Sequence, residues 1–312
     1  MRSCRWWIPG AAAAAVVVVA ACGSSGVDSG AGERPVVAAA FYPIEEVVRE
    51  VGGDSTTVLA LTPPGAEPHE LEISGRAATS LSKAAHLFYL GGGFQPSVEK
   101  AAAGLPAGSA HDLLEAVPLL PADEHPGDEH AADEHAADEH READPHVWLD
   151  PSNMARWASV VGEALEPIAP GAGARAQAYT ERMAALDRRF EEGLATCASR
   201  SIVTSHRAFA YLGKAYGLEQ IAVAGLSPHD EPDPQTLQRT AEAARAKGVD
   251  TIFFSEQAPK GLAETIAREV GAATAVLDPV ETIDKAARAA GATYSSLMEE
   301  NLAALRQALG CR

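Results

Sequence analysis

The sequence predicts an α/β fold of two similar parallel-sheet lobes joined by a long helical region. Three observations carry this: two sets of short β-rich runs alternating with helical stretches, and an extended helical segment between them. In the first set, Val36–Phe41 reads as a buried strand, Ile44–Val51 as a helix ended by Gly52-Gly53, and Thr57–Leu61 as a second strand. A rigid PPGAEPH loop follows, then a helix over Ser74–Lys83 and a strand over His86–Leu90 stopped by three glycines. Pro151 to Ala198 reads as helical with an interruption near Pro167–Gly173, because Tyr179, Met183, Leu186 and Phe190 recur at three- and four-residue spacing. The second set comprises strands Ser201–Thr204, Gln220–Ala224, Thr251–Ser255 and Ala273–Leu277. Helices Phe209–Tyr216, Pro234–Lys247 and Gly261–Val270 separate them, and a last helix covers Ala292–Leu309.

The termini and the composition set the compartment. Arg2 and Arg5 precede an apolar run from Ala11 to Ala21 that ends Val-Ala-Ala-Cys, so residues 1–21 read as a secretory signal peptide. The run is shorter than the ~20 residues of a membrane span. Its ending is like a bacterial lipobox, with Cys22 as the lipid-modified residue and a Gly/Ser-rich tether over 22–34. The expected organisation is then a first α/β lobe over 35–150, a linking helical region over 151–198 and a second α/β lobe over 199–312. Net charge is −18, and removing Arg2 and Arg5 makes it −20. With no basic cluster, nucleic acid is excluded as a partner. Cys4 leaves with the leader, so Cys197 and Cys311 remain. In an oxidising compartment such a pair normally bridges, the alternative being two free buried thiols. A bridge would contribute on the order of 3–5 kcal/mol through loop closure.

Histidine placement carries the functional signal. Asp-Glu-His occurs four times at a five-residue step between Asp123 and His140, placing His125, His130, His135 and His140 in an acidic loop over 121–144. A five-residue step matches no helical face, so the tract is a flexible, weaker chelator and not a built cage. His69 follows the strand Thr57–Leu61, His206 follows Ser201–Thr204 and Asp278 follows Ala273–Leu277, where open parallel sheets place their ligands. Imidazole and carboxylate together suit a borderline divalent cation. His86 lies in an apolar strand and reads as structural, His111 precedes a helical stretch, and His229 reads as part of a structural loop.

These contexts form a resemblance. Pro64–His69 (PGAEPH), Asp144–Pro151 (DPHVWLDP), Thr204–Leu212 (TSHRAFAYL), Gly225–Pro234 (GLSPHDEPDP) and Val276–Pro279 (VLDP) stand in order along nearly the whole mature chain. Together they resemble the zinc- and manganese-binding lipoproteins of bacterial ABC importers, the solute-binding proteins of those systems. The resemblance implies two α/β lobes with a rigid linking helix and a metal site in the cleft between them. It also implies a monomer held to the outer face of the membrane by lipid, where it hands metal to a permease and ATPase complex.

Carried onto this sequence, the resemblance makes His69, His146 and His206 ligands and puts Asp278 where the family uses an acidic residue. Water can complete the shell instead, leaving Asp278 beside the metal, and Glu67 is an alternative or supporting ligand. Manganese-type members tend to carry glutamate where this chain has His206, so Zn2+ is expected and Mn2+ is the alternative. The acidic His-rich insertion is similar to that of zinc-importing members.

Capture, not catalysis, is the expected activity. A secreted zinc hydrolase is the rival from another class, but the chain has neither H-E-x-x-H nor G-x-S-x-G, and Glu67 is the only candidate base near the histidines. A metal-dependent adhesin, or a zinc buffer with no dedicated permease, is the other rival.

Overall fold

The computed structural model describes residues 33–120, 143–229, 232–255 and 260–312. The leader, Cys22 and the histidines of the acidic tract lie outside the described residues. Each set of alternating elements forms one four-stranded, all-parallel sheet. The first comprises β1 (Val36–Ala39), β2 (Thr57–Ala60), β3 (His86–Tyr89) and β4 (Ala110–Asp112), with α1 (Tyr42–Gly52), α2 (Gly75–Leu81) and α3 (Pro96–Ala102) along the way. Its spatial order is β2-β1-β3-β4.

Two helices follow, α4 (Pro151–Leu165) and α5 (Ala172–Leu194). The second sheet then has β5 (Ser201–Thr204), β6 (Glu219–Ala222), β7 (Thr251–Phe254) and β8 (Ala273–Val276) in the equivalent order β6-β5-β7-β8. Among its strands run α6 (Ala210–Tyr216), α7 (Pro234–Ala246) and α8 (Lys260–Val270), and after them α9 (Lys285–Ala289) and α10 (Tyr294–Leu309). In both sheets the chain leaves the first strand in one direction and the third in the other, which opens a crevice beyond the carboxyl ends.

The helical middle is a hairpin of two helices. Asp150 caps α4 by accepting from Ser152 N, and Pro151 sets its first turn. The apolar spacing of α5 buries Ala172, Ala176, Tyr179, Met183, Leu186, Phe190 and Leu194 along one face. The two helices touch where Gly162 faces Ala176, and a Cβ on Gly162 would lie 2.7 Å from that of Ala176. Any larger residue there forces the helices apart. One apolar core runs from the first sheet through α4 and α5 to Tyr294, Met298, Leu302 and Leu305 of α10, so residues 34–312 form one compact unit. Cys197 and Cys311 are disulfide-bonded, tying the end of α5 to the segment after α10.

Among the described α-helices and strands, three short ones escaped the sequence reading: α3, β4 and α9. His111 in particular lies inside β4, followed by a 3-10 turn over Leu113–Ala116 and not by an α-helix. A three-residue strand carries too little alternation to register as a pattern. Among the described residues, no helix is long and apolar enough to cross a membrane.

Candidate metal centre

Four loops meet in the crevice, and each fixes its side chain through local hydrogen bonds. His206 lies two residues past β5, and its carbonyl accepts from Thr204 Oγ1 (2.8 Å), Gln220 Nε2 (3.0 Å) and Ala208 N (3.1 Å). Gln220 also accepts from Phe209 N, so one β6 side chain holds both ends of the turn. His69 follows β2 in a loop pinned by Gln95, whose amide donates to Pro68 O (3.0 Å) and Thr62 Oγ1 (3.2 Å). Phe94 meets the His69 ring edge-on, with centroids 4.6 Å apart.

His146 precedes α4. Asp144 Oδ1 accepts from its backbone N–H (2.9 Å) and lies 2.8 Å from its ring Nδ1. That contact directs the other ring nitrogen, Nε2, toward the crevice. Glu281 is carried on the loop after β8. There Asp278 N donates to Asn301 Oδ1 and Asn301 Nδ2 donates to Asp278 O, clamping the loop onto α10. Gly65 N, in the His69 loop, donates to Thr282 Oγ1 (2.9 Å), and Trp148 Nε1 donates to Pro279 O (2.7 Å). Loops of the two lobes therefore close on one another around the site.

The carboxylate that faces the histidines is Glu281. Its Oε1 is 3.3 Å from His146 Nε2 and 3.4 Å from His206 Nε2, and its Oε2 is 3.7 Å from His69 Nε2. His146, His206 and Glu281 are at most 1 % exposed. Ligand atoms of His69, His146 and Glu281 all lie within 4.8 Å of one another.

Asp278, expected beside the metal, does not join this group of ligand atoms. Its side chain accepts from Val280 N (2.8 Å) and lines a neighbouring cavity with Asp284, Glu300 and Asn301, so the turn it makes sends the chain back to the crevice three residues later, at Glu281. Glu67 stands at the rim, with Oε1 accepting from His69 N (3.0 Å). Asp144 and Glu281 are the two site residues the sequence reading did not name. Asp144 was signalled by its place two residues before His146 in D-P-H. For Glu281 the signal was only a second carboxylate beyond the strand exit.

Electrostatics match the crowding of donors. Burial opposes charge on His146, but Asp144 and then Glu281 outweigh it and raise its pKa to about 9. For His206, burial wins over Glu281 and lowers the pKa. Burial would raise Glu281, yet contacts from His146, His206 and His69 hold it well below the usual carboxylate range. Burial, then the charge of Glu281, raises Glu67.

Among the described residues, His69 Nε2, His146 Nε2 and Glu281 Oε2 are buried without a hydrogen-bond partner. Buried polar atoms left unpaired cost about 1–3 kcal/mol each, and a cation at their centre would satisfy all three. Three imidazoles and one carboxylate are the donor set of a four-coordinate zinc site.

Known proteins resemble this chain along most of its length. The chain is 33% identical over 277 residues to the zinc-binding lipoprotein AdcA of Streptococcus pneumoniae serotype 4, a match covering 87% of this chain and 55% of that one. The chain thus spans about half the length of that relative. It is 32% identical over 304 residues to the high-affinity zinc uptake system protein ZnuA of Bacillus subtilis, with 92% of each covered. The crystal structure of the Zn(II)-bound ZnuA-like domain of Streptococcus pneumoniae AdcA superposes with a TM-score of 0.72 at 33% identity, covering 89% of this chain and 99% of that domain. The family profile "zinc-uptake complex component A, periplasmic" matches residues 37–308. The chain belongs to this ZnuA family of zinc-uptake components.

Proposed function

We propose that this chain captures Zn2+ outside the cytoplasm and hands it to an ABC-type permease and ATPase complex. The observation that carries the reading is the buried convergence of three imidazoles on Glu281 between the two sheets. His69, His146, His206 and Glu281 hold the ion, Asp144 orients His146, and Glu67 supports the His69 loop. Such a nitrogen-rich set favours zinc, whereas manganese prefers more oxygen donors. The role is binding and not catalysis: a carboxylate and three histidines fill four positions, leaving none of the open coordination that a hydrolytic zinc keeps.

The leader over 1–21 directs export, lipid on Cys22 anchors the protein to the outer face of the membrane, and the mature chain acts as a monomer. Residues 35–150 and 199–312 serve as lobes around the linking region 151–198. His125, His130, His135 and His140 form an auxiliary, weaker zinc-binding tract that serves collection, delivery or sensing of the ion. The names of relatives support this reading: AdcA is a zinc-binding lipoprotein and ZnuA a zinc uptake system protein.

The test is zinc and manganese content, with competition binding, on the mature protein and on a variant lacking Asp123–His140. One tight zinc per chain that survives the deletion is expected. Loss of tight binding with the tract would move the primary site out of the crevice. A preference for manganese would overturn the metal while leaving import standing.

A further inference from the structure

Away from the crevice, two more histidines meet. His86 opens β3 and His111 lies at the middle of the edge strand β4, whose register places His111 beside Phe88. Residues 86 and 88 share a face of the pleat, so both histidines project from the same side of the sheet. His86 Nδ1 and His111 Nε2 are 3.0 Å apart, and both residues are half-buried. The His111 ring stacks on Phe88 at 4.7 Å between centroids and 17° between planes, which fixes its orientation. Because the crevice lies past the carboxyl ends of the strands, His86, the first residue of β3, sits at the opposite end of the sheet.

We propose that His86 and His111 form a second site for a borderline divalent cation such as Zn2+, weaker than the central one. Two nitrogens bound to one tetrahedral zinc at about 2.0–2.1 Å stand roughly 3.3 Å apart, so binding needs a few tenths of an ångström of opening and a turn of both rings that aims their inner lone pairs at the ion. Metal-free, the pair shares one ring proton, donated by one inner nitrogen to the other. Binding moves that proton to the outer nitrogen of the same ring, leaving two inner lone pairs for the metal and no net change in charge. The outer nitrogen of the donating ring takes it, and the outer nitrogen of the accepting ring already carries that ring's own proton. Burial lowers the pKa of both rings, which keeps them neutral and ready to ligate. Water supplies the remaining ligands, and with only two protein donors the site fills after the central one.

The deciding experiment is anomalous diffraction at the zinc edge from crystals of the full mature chain grown with zinc in excess. A peak in the crevice and a second between the rings of His86 and His111 are expected, and His111→Gln should keep the first and lose the second. A filled crevice with no density between these rings overturns the proposal, leaving the pair a structural hydrogen bond, as does a second peak that persists in His111→Gln. In solution, nitrogen-15 imidazole spectra of the unmutated chain should show both rings leaving their hydrogen-bonded state only beyond one equivalent of zinc. Unchanged resonances in excess zinc would also overturn it.

Discussion

The first lobe presents His146 on a ring fixed by Asp144, inside a core continuous with α4, α5 and α10. The second lobe presents Glu281 from a loop whose preceding residue, Val280, is fully buried with φ of 56°. A β-branched residue in the left-handed region is strained by about 1–3 kcal/mol. Much of the second sheet packs on a separate, smaller cluster built around Val203, Val223, Ile252 and Ile266, and β8 beside the loop is largely exposed. Identical strand order therefore does not imply identical packing. One lobe places its ligand on a ring set by a carboxylate, and the other carries its carboxylate on a strained turn that is itself held in the main core through Leu277, Val280 and Ile283.

Substitutions can break that comparison, beginning with the first lobe. His146→Ala should lower zinc affinity by more than the ~100-fold upper limit for loss of a supporting partner, read by competition with a chelator of known affinity. Glu281→Gln should cost less, because three imidazoles remain. Equal losses would mean that the lobes are equivalent. Removing the disulfide with Cys197→Ser and Cys311→Ser should lower stability by about 2–5 kcal/mol in denaturant titration while zinc stoichiometry stays at its original value.

Asp144→Ala should weaken zinc about 10–100-fold, with Asp144→Asn recovering part of the loss by accepting from Nδ1. The raised pKa of His146 gives this pairing a second signature. Below about 9 the metal-free ring holds a proton, and only neutral imidazole ligates, so binding at pH 7 should release about one proton per zinc. Affinity should accordingly fall as pH falls. Calorimetry in buffers of different ionisation enthalpy counts the proton, and zero release would contradict the charge pairing around His146. The smallest effect sharpens the contrast on the strained side. Glycine is ordinarily about 0.5–1 kcal/mol worse than alanine inside regular elements. At position 280 the order should reverse, with Val280→Gly more stable than Val280→Ala because only glycine adopts this φ freely.

Sequence was informative where chemistry is local. The strand and helix alternation, the helical break after Leu165 and the three cleft histidines are all visible in residue patterns, because periodicity and short motifs encode them. Glu281 was not visible, because choosing between it and Asp278 depends on an Asx-type turn at Asp278 and a left-handed Val280 that together redirect the chain. The pairing of His86 with His111 was equally hidden. It arises from the register between β3 and a strand only three residues long, and 25 positions separate the two rings.

Trp148 gives the crevice an optical readout. It and Trp157 are the two tryptophans among the described residues, and both are fully buried. The Trp148 ring lies 5.2 Å from that of His146, while its indole N–H reaches across to Pro279, two residues before Glu281. A protonated imidazole quenches a neighbouring indole by accepting an electron from its excited state, so exchange of that proton for zinc should brighten the emission. The protein's own fluorescence would then follow loading and unloading in real time, with no dye and no label.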